Sequence, residues 1–74
     1  MIIKVPTAIT QDKSGIMWFG TQDGLVRFDG YNFTRFTHSV DDPTSIADNY
    51  IFSLWAAPDG KLWVGTDLGG VSVY

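Results

Sequence analysis

The chain reads GIMWFGTQDGLVRFDG from Gly15 to Gly30 and repeats the pattern as GKLWVGTDLGGVSVY from Gly60 to Tyr74. The tryptophans of the two copies are 45 positions apart, and the step becomes 46 after the next turn because an extra residue lies near Gly69-Gly70. Self-similarity at this spacing is typical of repeat proteins, so the repeat indicates both the fold and the function. The positions that define it are Trp18, Gly20, Thr21, Gly24, Trp63, Gly65 and Thr66.

Each copy of the repeat predicts short antiparallel strands separated by tight turns. Asp23-Gly24 lies between two apolar runs and is a strong hairpin signal. Both faces of the predicted sheet are largely apolar, so each sheet needs a neighbour on either side. Radial packing of such sheets is typical of a β-propeller. The predicted strands are residues 7–11, 16–21, 25–29, 32–37, 50–56, 62–66 and 71–74.

The predicted fold is therefore all-β, with antiparallel four-stranded propeller blades. About two blades are expected, one complete and one lacking its outer strand, as a fragment of a larger propeller. Residues 1–7 would supply the outer strand of a preceding blade through Ile2–Val5, and residues 8–37 the complete blade. Residues 38–49 would form a surface loop between blades, with a single helical turn possible at Ser45–Asp48, and residues 50–74 the incomplete blade.

The composition limits the size of the domain and the kinds of site and partner that it can have. The 74 residues allow one small domain, and the absence of cysteine excludes a disulfide or a cysteine-based zinc site. A net charge of −3 and no basic stripe argue against a nucleic-acid partner. The apolar run at Met1–Pro6 is too short for a signal peptide or a membrane span, so no membrane contact by this segment is expected.

Several segments resemble the two-component regulator propeller repeat. The linking loop also resembles the connection between the first repeats of that family, through Thr37-His38, Asp42-Pro43, Ser45 and Asn49. The segments that carry the repeat resemblance are Ile9–Asp12, Met17–Thr21, Asp23–Leu25, Arg27–Tyr31 and Leu62–Thr66.

This resemblance implies a propeller in the periplasmic sensor half of a membrane-spanning signalling protein, usually a histidine kinase or hybrid two-component regulator. It also implies a small-molecule or oligosaccharide ligand. Because such propellers need many blades, this chain would be an N-terminal piece of the sensor, with a histidine kinase or other output domain outside it.

Catalysis, metal binding and cofactor binding are not predicted. Trp18 and Trp63 are interpreted as blade-packing residues rather than sugar-stacking platforms. His38 is the single histidine, and no nucleophile elbow or calcium-loop spacing occurs. The aspartates at turns and strand ends are expected to cap the backbone. They are Asp12, Asp23, Asp29, Asp59 and Asp67.

The predicted ligand-binding residues lie in turns and loops. In a propeller, the turns between second and third strands share one face with the connections between blades, and such loops carry function on a rigid scaffold. The residues assigned to this role are Gln22, Asp23, Asn49, Tyr50 and Asp67.

Three functions follow, in decreasing order of support. The first is a segment of an extracytoplasmic ligand-sensing propeller that supplies blades and loops. The second is a stand-alone two-blade protein that assembles into a ring with further blades of the same chain, as an interaction or lectin-like module. The third is an enzyme, for which the sequence offers neither a histidine cluster nor a clear acid–base pair. In isolation the chain would expose apolar blade faces and self-associate.

Overall fold

The computed structural model describes residues 5–42, 45–46 and 48–74, and all regular secondary structure in these residues is β-strand. The first four strands form one antiparallel sheet in sequence order, blade one, and the last three form a second, blade two. The predicted all-β class, with one four-stranded and one three-stranded sheet, is thereby confirmed. The strands are β1 Ala8–Gln11, β2 Met17–Thr21, β3 Gly24–Phe28, β4 Phe33–Phe36, β5 Ile51–Ala56, β6 Leu62–Thr66 and β7 Val71–Val73.

Strand ends differ from the predicted bounds by a residue or so, because residues at the ends form turns. Ile16, predicted as strand, instead accepts the turn hydrogen bond from the Asp12 amide at 2.9 Å. The predicted strand Ile2–Val5 falls mainly outside the described residues, and Val5 is not in a strand. The predicted helical turn at Ser45–Asp48 includes Ala47, which also lies outside them.

The turns that open each repeat have the same hydrogen bonds. Gly15 donates to the Asp12 carbonyl, and Gly60, 45 positions on, donates to the Ala57 carbonyl, both at 3.0 Å. Asp29 caps its turn as predicted, because its Oδ1 accepts from the amides of Tyr31 and Asn32. The Asp59 carboxylate likewise accepts from the Lys61 amide, and these local bonds fix the hairpins.

The core lies between the two sheets. Residues directly opposite each other in an antiparallel ladder point to the same face, which defines an inner face on each blade. The inner face of blade one contains Ala8, Trp18, Gly20, Leu25 and Phe36. The inner face of blade two contains Ile51, Leu54, Ala56, Leu62, Val64 and Thr66. Together they contribute most of the buried hydrophobic cluster.

Gly20 is required where the two blades approach most closely. A Cβ at this position would lie 2.5 Å from Ile51 Cγ2, so only glycine leaves room for β5 against β2. Thr7 also donates its hydroxyl to the Ile51 carbonyl, which joins the segment before β1 to β5. The blades therefore meet through backbone-level contact as well as through side chains.

The loop between the blades does not lie wholly at the surface. Ile46 is only 2% exposed and belongs to the hydrophobic core. His38 Nδ1 lies 2.7 Å from the Ile46 carbonyl, and the His38 amide donates to Asn49 Oδ1 at 2.6 Å. The expected surface loop is thus anchored by one buried apolar side chain and its hydrogen bonds.

The ring of Tyr74 lies at the edge of the core, beside two aromatic rings of blade one. Tyr74 exchanges backbone hydrogen bonds with Leu62 and places its ring 5.9 Å from Trp18 and 5.0 Å from Phe36, centroid to centroid. Partial burial raises the pKa of the Tyr74 phenol.

Candidate functional site

Two turns from different blades meet the end of the inter-blade loop. Gln22, in the β2–β3 turn, donates from Nε2 to the Tyr50 hydroxyl at 3.4 Å. The Asp67 amide, in the β6–β7 turn, donates to the Tyr50 carbonyl at 3.1 Å. Tyr50 therefore contacts both Gln22 and Asp67, so three of the five predicted ligand-binding residues are linked through Tyr50. We call Gln22, Asp23, Asn49, Tyr50 and Asp67 the loop face.

The other two members of the loop face use their polar groups within the protein. The carboxamide oxygen of Asn49 accepts a hydrogen bond from the His38 amide. The Asp23 amide donates to Thr21 Oγ1 at 2.9 Å, and its carbonyl accepts from Arg35 Nε at 2.9 Å. These hydrogen bonds of Asn49 and Asp23 fix the backbone of the loop face, and both residues remain exposed.

Asp48 was not among the predicted site residues, yet it joins the loop to blade two. Its Oδ2 accepts from the Leu68 amide at 2.9 Å, and Oδ1 accepts from the Asn49 amide at 2.7 Å. The Leu68 hydrogen bond lowers the pKa of the Asp48 carboxyl below its ordinary value. Asp48 and Leu68 are 20 positions apart, and no pattern in the sequence predicts the hydrogen bond between them.

The chemistry of the loop face is that of a hydrogen-bonding surface. It combines two carboxamides, a phenol and two carboxylates, and the Tyr50 ring lies 4.8 Å from that of Phe52. Within the described residues, no group of three potential metal ligands comes together. Nor does that part of the chain contain a helix long and apolar enough to span a bilayer.

A cleft of about 270 Å³ lies at the outer edge of blade one, along the end of β4. Its walls include Arg35, Phe36, Ile46 and Tyr74, so it combines one guanidinium with two aromatic rings. None of these residues was predicted as part of a site.

The repeat-defining threonines make the same hydrogen bond in both copies, whereas the two repeat tryptophans differ in exposure. Thr21 Oγ1 donates to the Gly24 carbonyl and Thr66 Oγ1 to the Gly70 carbonyl, both at 2.8 Å, which locates the extra residue between Thr66 and Gly70. Trp18 is 7% exposed, whereas Trp63 is 41% exposed.

Trp18 also has a polar partner. Its Nε1 donates to Asp12 Oδ2 at 3.0 Å, while Asp12 Oδ1 accepts from the amides of Ser14 and Ile16. The Trp18 hydrogen bond, followed by the two backbone bonds, lowers the pKa of the Asp12 carboxyl. The sequence predicted the turn cap but not the bond to Trp18, and the equivalent position in blade two is Ala57.

Comparison with known proteins identifies the repeat. Residues 3–23 match the family model described as two-component regulator propeller. Residues 3–23 are therefore similar to a two-component regulator propeller repeat. The resemblance inferred from the sequence is confirmed by this match. A 39-residue stretch is also 49% identical to Histidine kinase P4 from Formosa agariphila, covering 53% of this chain and 3% of that protein.

Solved structures of two-component sensors contain the same pair of sheets. The extracellular domain of the hybrid two-component system BT3049 from B. thetaiotaomicron aligns over 100% of this chain and 10% of its own, with a TM-score of 0.87 and 30% identity. The extracellular domain of BT4673 from the same organism aligns over 92% of this chain and 9% of its own, with a TM-score of 0.83 and 26% identity. This chain therefore spans about a tenth of each structural relative and far less of the kinase.

Proposed function

We propose that this chain is a segment of an extracytoplasmic, ligand-sensing β-propeller in a two-component signalling protein, periplasmic where the host has a periplasm. The observation that carries the proposal is the alignment of all 74 residues with the extracellular domain of a hybrid two-component system at a TM-score of 0.87. The identity to Histidine kinase P4 supports a kinase as the output of the parent protein.

In this proposal the blades are scaffold and the loop face receives the ligand. The inner faces are occupied by the core, so the exposed polar groups at the strand ends remain for recognition. Amide, phenol and carboxylate groups suit the hydroxyl groups of a small polar molecule or an oligosaccharide, and aromatic rings suit the faces of sugar rings.

The loop face also supplies a route from ligand to signal. Gln22 belongs to blade one and Asp67 to blade two, and Tyr50 is hydrogen-bonded to both. A ligand that contacts all three would bind best at one relative position of the two blades, and its binding free energy would favour that packing. The changed packing would then be transmitted to the output domain of the parent protein, while this segment performs no chemistry.

The proposal is tested by titrating the chain with a panel of neutral and acidic oligosaccharides and monitoring the backbone amide chemical shifts by NMR. We expect shifts centred on Gln22, Tyr50 and Asp67. We expect Gln22→Ala and Tyr50→Phe each to weaken binding by about 2- to 10-fold, the usual worth of one hydrogen bond.

The matched control is Tyr31→Phe. Tyr31 is 91% exposed and lies in the β3–β4 turn, away from the loop face. The Tyr31→Phe variant should bind the oligosaccharide as tightly as the unmodified chain does. Binding that maps to the β3–β4 turn, or that is insensitive to both loop-face substitutions, would contradict the proposed site.

A further inference from the structure

One residue of β5 has no partner in the ladder, and it lies next to the loop face. Ile51 pairs with Thr66 and Ser53 pairs with Gly65, so Phe52 is an extra residue between them. The corresponding pairing in blade one, between β1 and β2, is regular. An extra residue of this kind redirects a side chain and is frequent beside functional sites. The irregularity at Phe52 therefore indicates a local role that blade one does not share.

The redirected side chain of Phe52 is an exposed aromatic ring. Phe52 is 52% exposed, and its ring centroid lies 4.8 Å from that of Tyr50. Tyr50 in turn contacts Gln22 and Asp67 of the loop face. Phe52 thus adds an aromatic surface to the loop face.

The two ends of the blades differ in charge. Because successive strands alternate in direction, the loop face and the inter-blade loop share one end, and the β1–β2, β3–β4 and β5–β6 turns share the other. In the part of the chain that the structure describes, acidic and basic side chains balance at the second end, whereas aspartates outnumber arginine at the loop-face end. The balanced residues are Asp12, Lys13, Arg27, Asp29, Asp59 and Lys61, and the loop-face end contains Asp23, Arg35, Asp41, Asp42, Asp48 and Asp67.

Two carboxylates at the loop-face end are available to a ligand. Asp23 and Asp67 are exposed and bond through their backbones, and within the described residues neither carboxylate has a hydrogen-bond or ion-pair partner. The Asp48 carboxylate, by contrast, already accepts from the Leu68 and Asn49 amides. Carboxylates next to aromatic rings favour a cation, because opposite charge and the ring faces both attract it.

We propose that the loop face, together with Phe52, recognises a ligand that carries an ammonium group, as an amino sugar does, and discriminates against uronic acids. This inference rests on the proposed function and names the ligand class of the same site. The ammonium group would lie near a carboxylate and an aromatic ring, while sugar hydroxyls bond to Gln22 and Tyr50. Neighbouring blades of a propeller pack on the faces of the sheets, so the loop-face end would stay open in the parent protein.

Two oligosaccharides that differ only in N-acetylation test the ligand class. Glucosamine oligosaccharides carry ammonium groups at mildly acidic pH, and their N-acetylated counterparts have the same backbone without the charge. We expect the glucosamine form to bind about 3- to 30-fold more tightly, the usual worth of an exposed ion pair and a cation–π contact. Added salt should reduce this advantage, because it screens the charges. Oligosaccharides of uronic acid should bind least.

Three variants locate the source of the preference. Asp23→Asn and Asp67→Asn each remove one charge with little change of shape, and each should weaken glucosamine binding by about 2- to 5-fold. Binding of the N-acetylated form should be unchanged in both. Phe52→Leu keeps an apolar side chain but removes the ring, so it should weaken binding of the glucosamine form more than that of the N-acetylated form.

The matched control is Asp59→Asn, which makes the same charge change at the opposite end of the blades. Its side-chain oxygen can still accept from the Lys61 amide, so the turn should keep its structure. The Asp59→Asn variant should bind both oligosaccharides as tightly as the unmodified chain does. Equal weakening by Asp59→Asn and Asp67→Asn would overturn the inference, because the total charge of the chain would then attract the ligand.

Other outcomes separate the ligand class from the proposed function. Equal affinity for the two oligosaccharides, with chemical shift changes at Gln22, Tyr50 and Asp67, would overturn the inference and leave the loop face as the sensing site. A preference for glucosamine that persists in both loop-face aspartate variants would also overturn it. No binding of any oligosaccharide would overturn the inference and the proposed site together.

Discussion

Trp18 and Trp63 occupy equivalent positions in the two repeats, yet their surroundings differ. Trp18 is 7% exposed, contacts the rings of Phe36 and Tyr74, and donates to Asp12. Trp63 is 41% exposed and faces away from blade one, opposite Trp55 and Val73. The same residue in the same strand is therefore a core residue in one blade and a surface residue in the other. In a repeat protein, burial is set by the neighbouring repeat as much as by the repeat itself.

The largest expected effect comes from removing the two indoles separately. Trp18→Ala should destabilise the chain by about 3–5 kcal/mol, because it leaves a cavity in the core, and a domain of this size should then unfold. Trp63→Ala should cost about 1–2 kcal/mol, since much of its side chain is already in water.

Urea denaturation of the two variants at the same low protein concentration compares their losses of stability. Equal losses of stability would mean that Trp63 is as buried as Trp18 in solution. A folded Trp18→Ala variant would contradict the assignment of Trp18 to the core.

A smaller effect is expected from the two equivalent glycines. Gly20→Ala would bring a methyl group against Ile51 of the other blade and should cost about 1–3 kcal/mol. In Gly65→Ala the nearest atom is Ser53 Oγ, the end of a short side chain that can rotate away. The Gly65→Ala variant should therefore have nearly the same free energy of unfolding as the unmodified chain.

The clash can be tested directly with a double-mutant cycle. Ile51→Ala removes the Cγ2 atom that the new methyl group would meet, so the cost of Gly20→Ala should fall by about 0.5–3 kcal/mol in that background. Strict additivity would show that Gly20 is required for some other reason than the approach of β5.

The smallest effect concerns the carboxylate that only blade one has. Asp12→Asn keeps an oxygen for the Ser14 and Ile16 amides but turns an NH₂ group towards Trp18 Nε1. The loss of that bond should cost about 1–2 kcal/mol at neutral pH.

The same substitution should change the response to acid. The pKa of Asp12 is lowered in the folded state from its ordinary value of 3.8. Its contribution to stability is therefore complete above that value and is lost as the pH falls through the lowered one. Thermal melts below pH 4 should show a shallower decline for Asp12→Asn. The slope should not vanish, because the pKa values of Asp29 and Asp48 are lowered too. An unchanged slope would mean that Asp12 is not held ionised by Trp18.

The strands and turns were predictable because they depend on local patterns. The apolar runs and the turn residues determine the hairpins, and the step from 45 to 46 predicted an extra residue near Gly69-Gly70, in the hairpin that the Thr66 hydroxyl closes. The sequence could not predict that the side chain of Ile46, within the inter-blade loop, is buried in the core. One isoleucine in a polar segment has no periodicity to indicate burial, and the core cluster that it joins includes residues of β2, β3 and β6, which are distant in sequence.

The loop face was partly predictable for the same reason. Propeller topology predicted that the β2–β3 and β6–β7 turns lie near the inter-blade loop, and Gln22, Tyr50 and Asp67 do meet. The bond from the Leu68 amide to Asp48 depends on side-chain orientation in three dimensions. No pattern of residue types along the chain encodes that orientation.

The threonine hydroxyl that closes each β-hairpin has a consequence for how such repeats can diversify. Thr21 reaches the Gly24 carbonyl across two intervening residues, and Thr66 reaches the Gly70 carbonyl across three, with the same 2.8 Å bond. The hairpin base is thus closed independently of the length of its tip, and the extra tip is exposed at Leu68. We expect residues inserted after Leu68 to leave the strands and the Leu68–Asp48 bond in place, so this hairpin would suit grafted binding loops or randomised libraries.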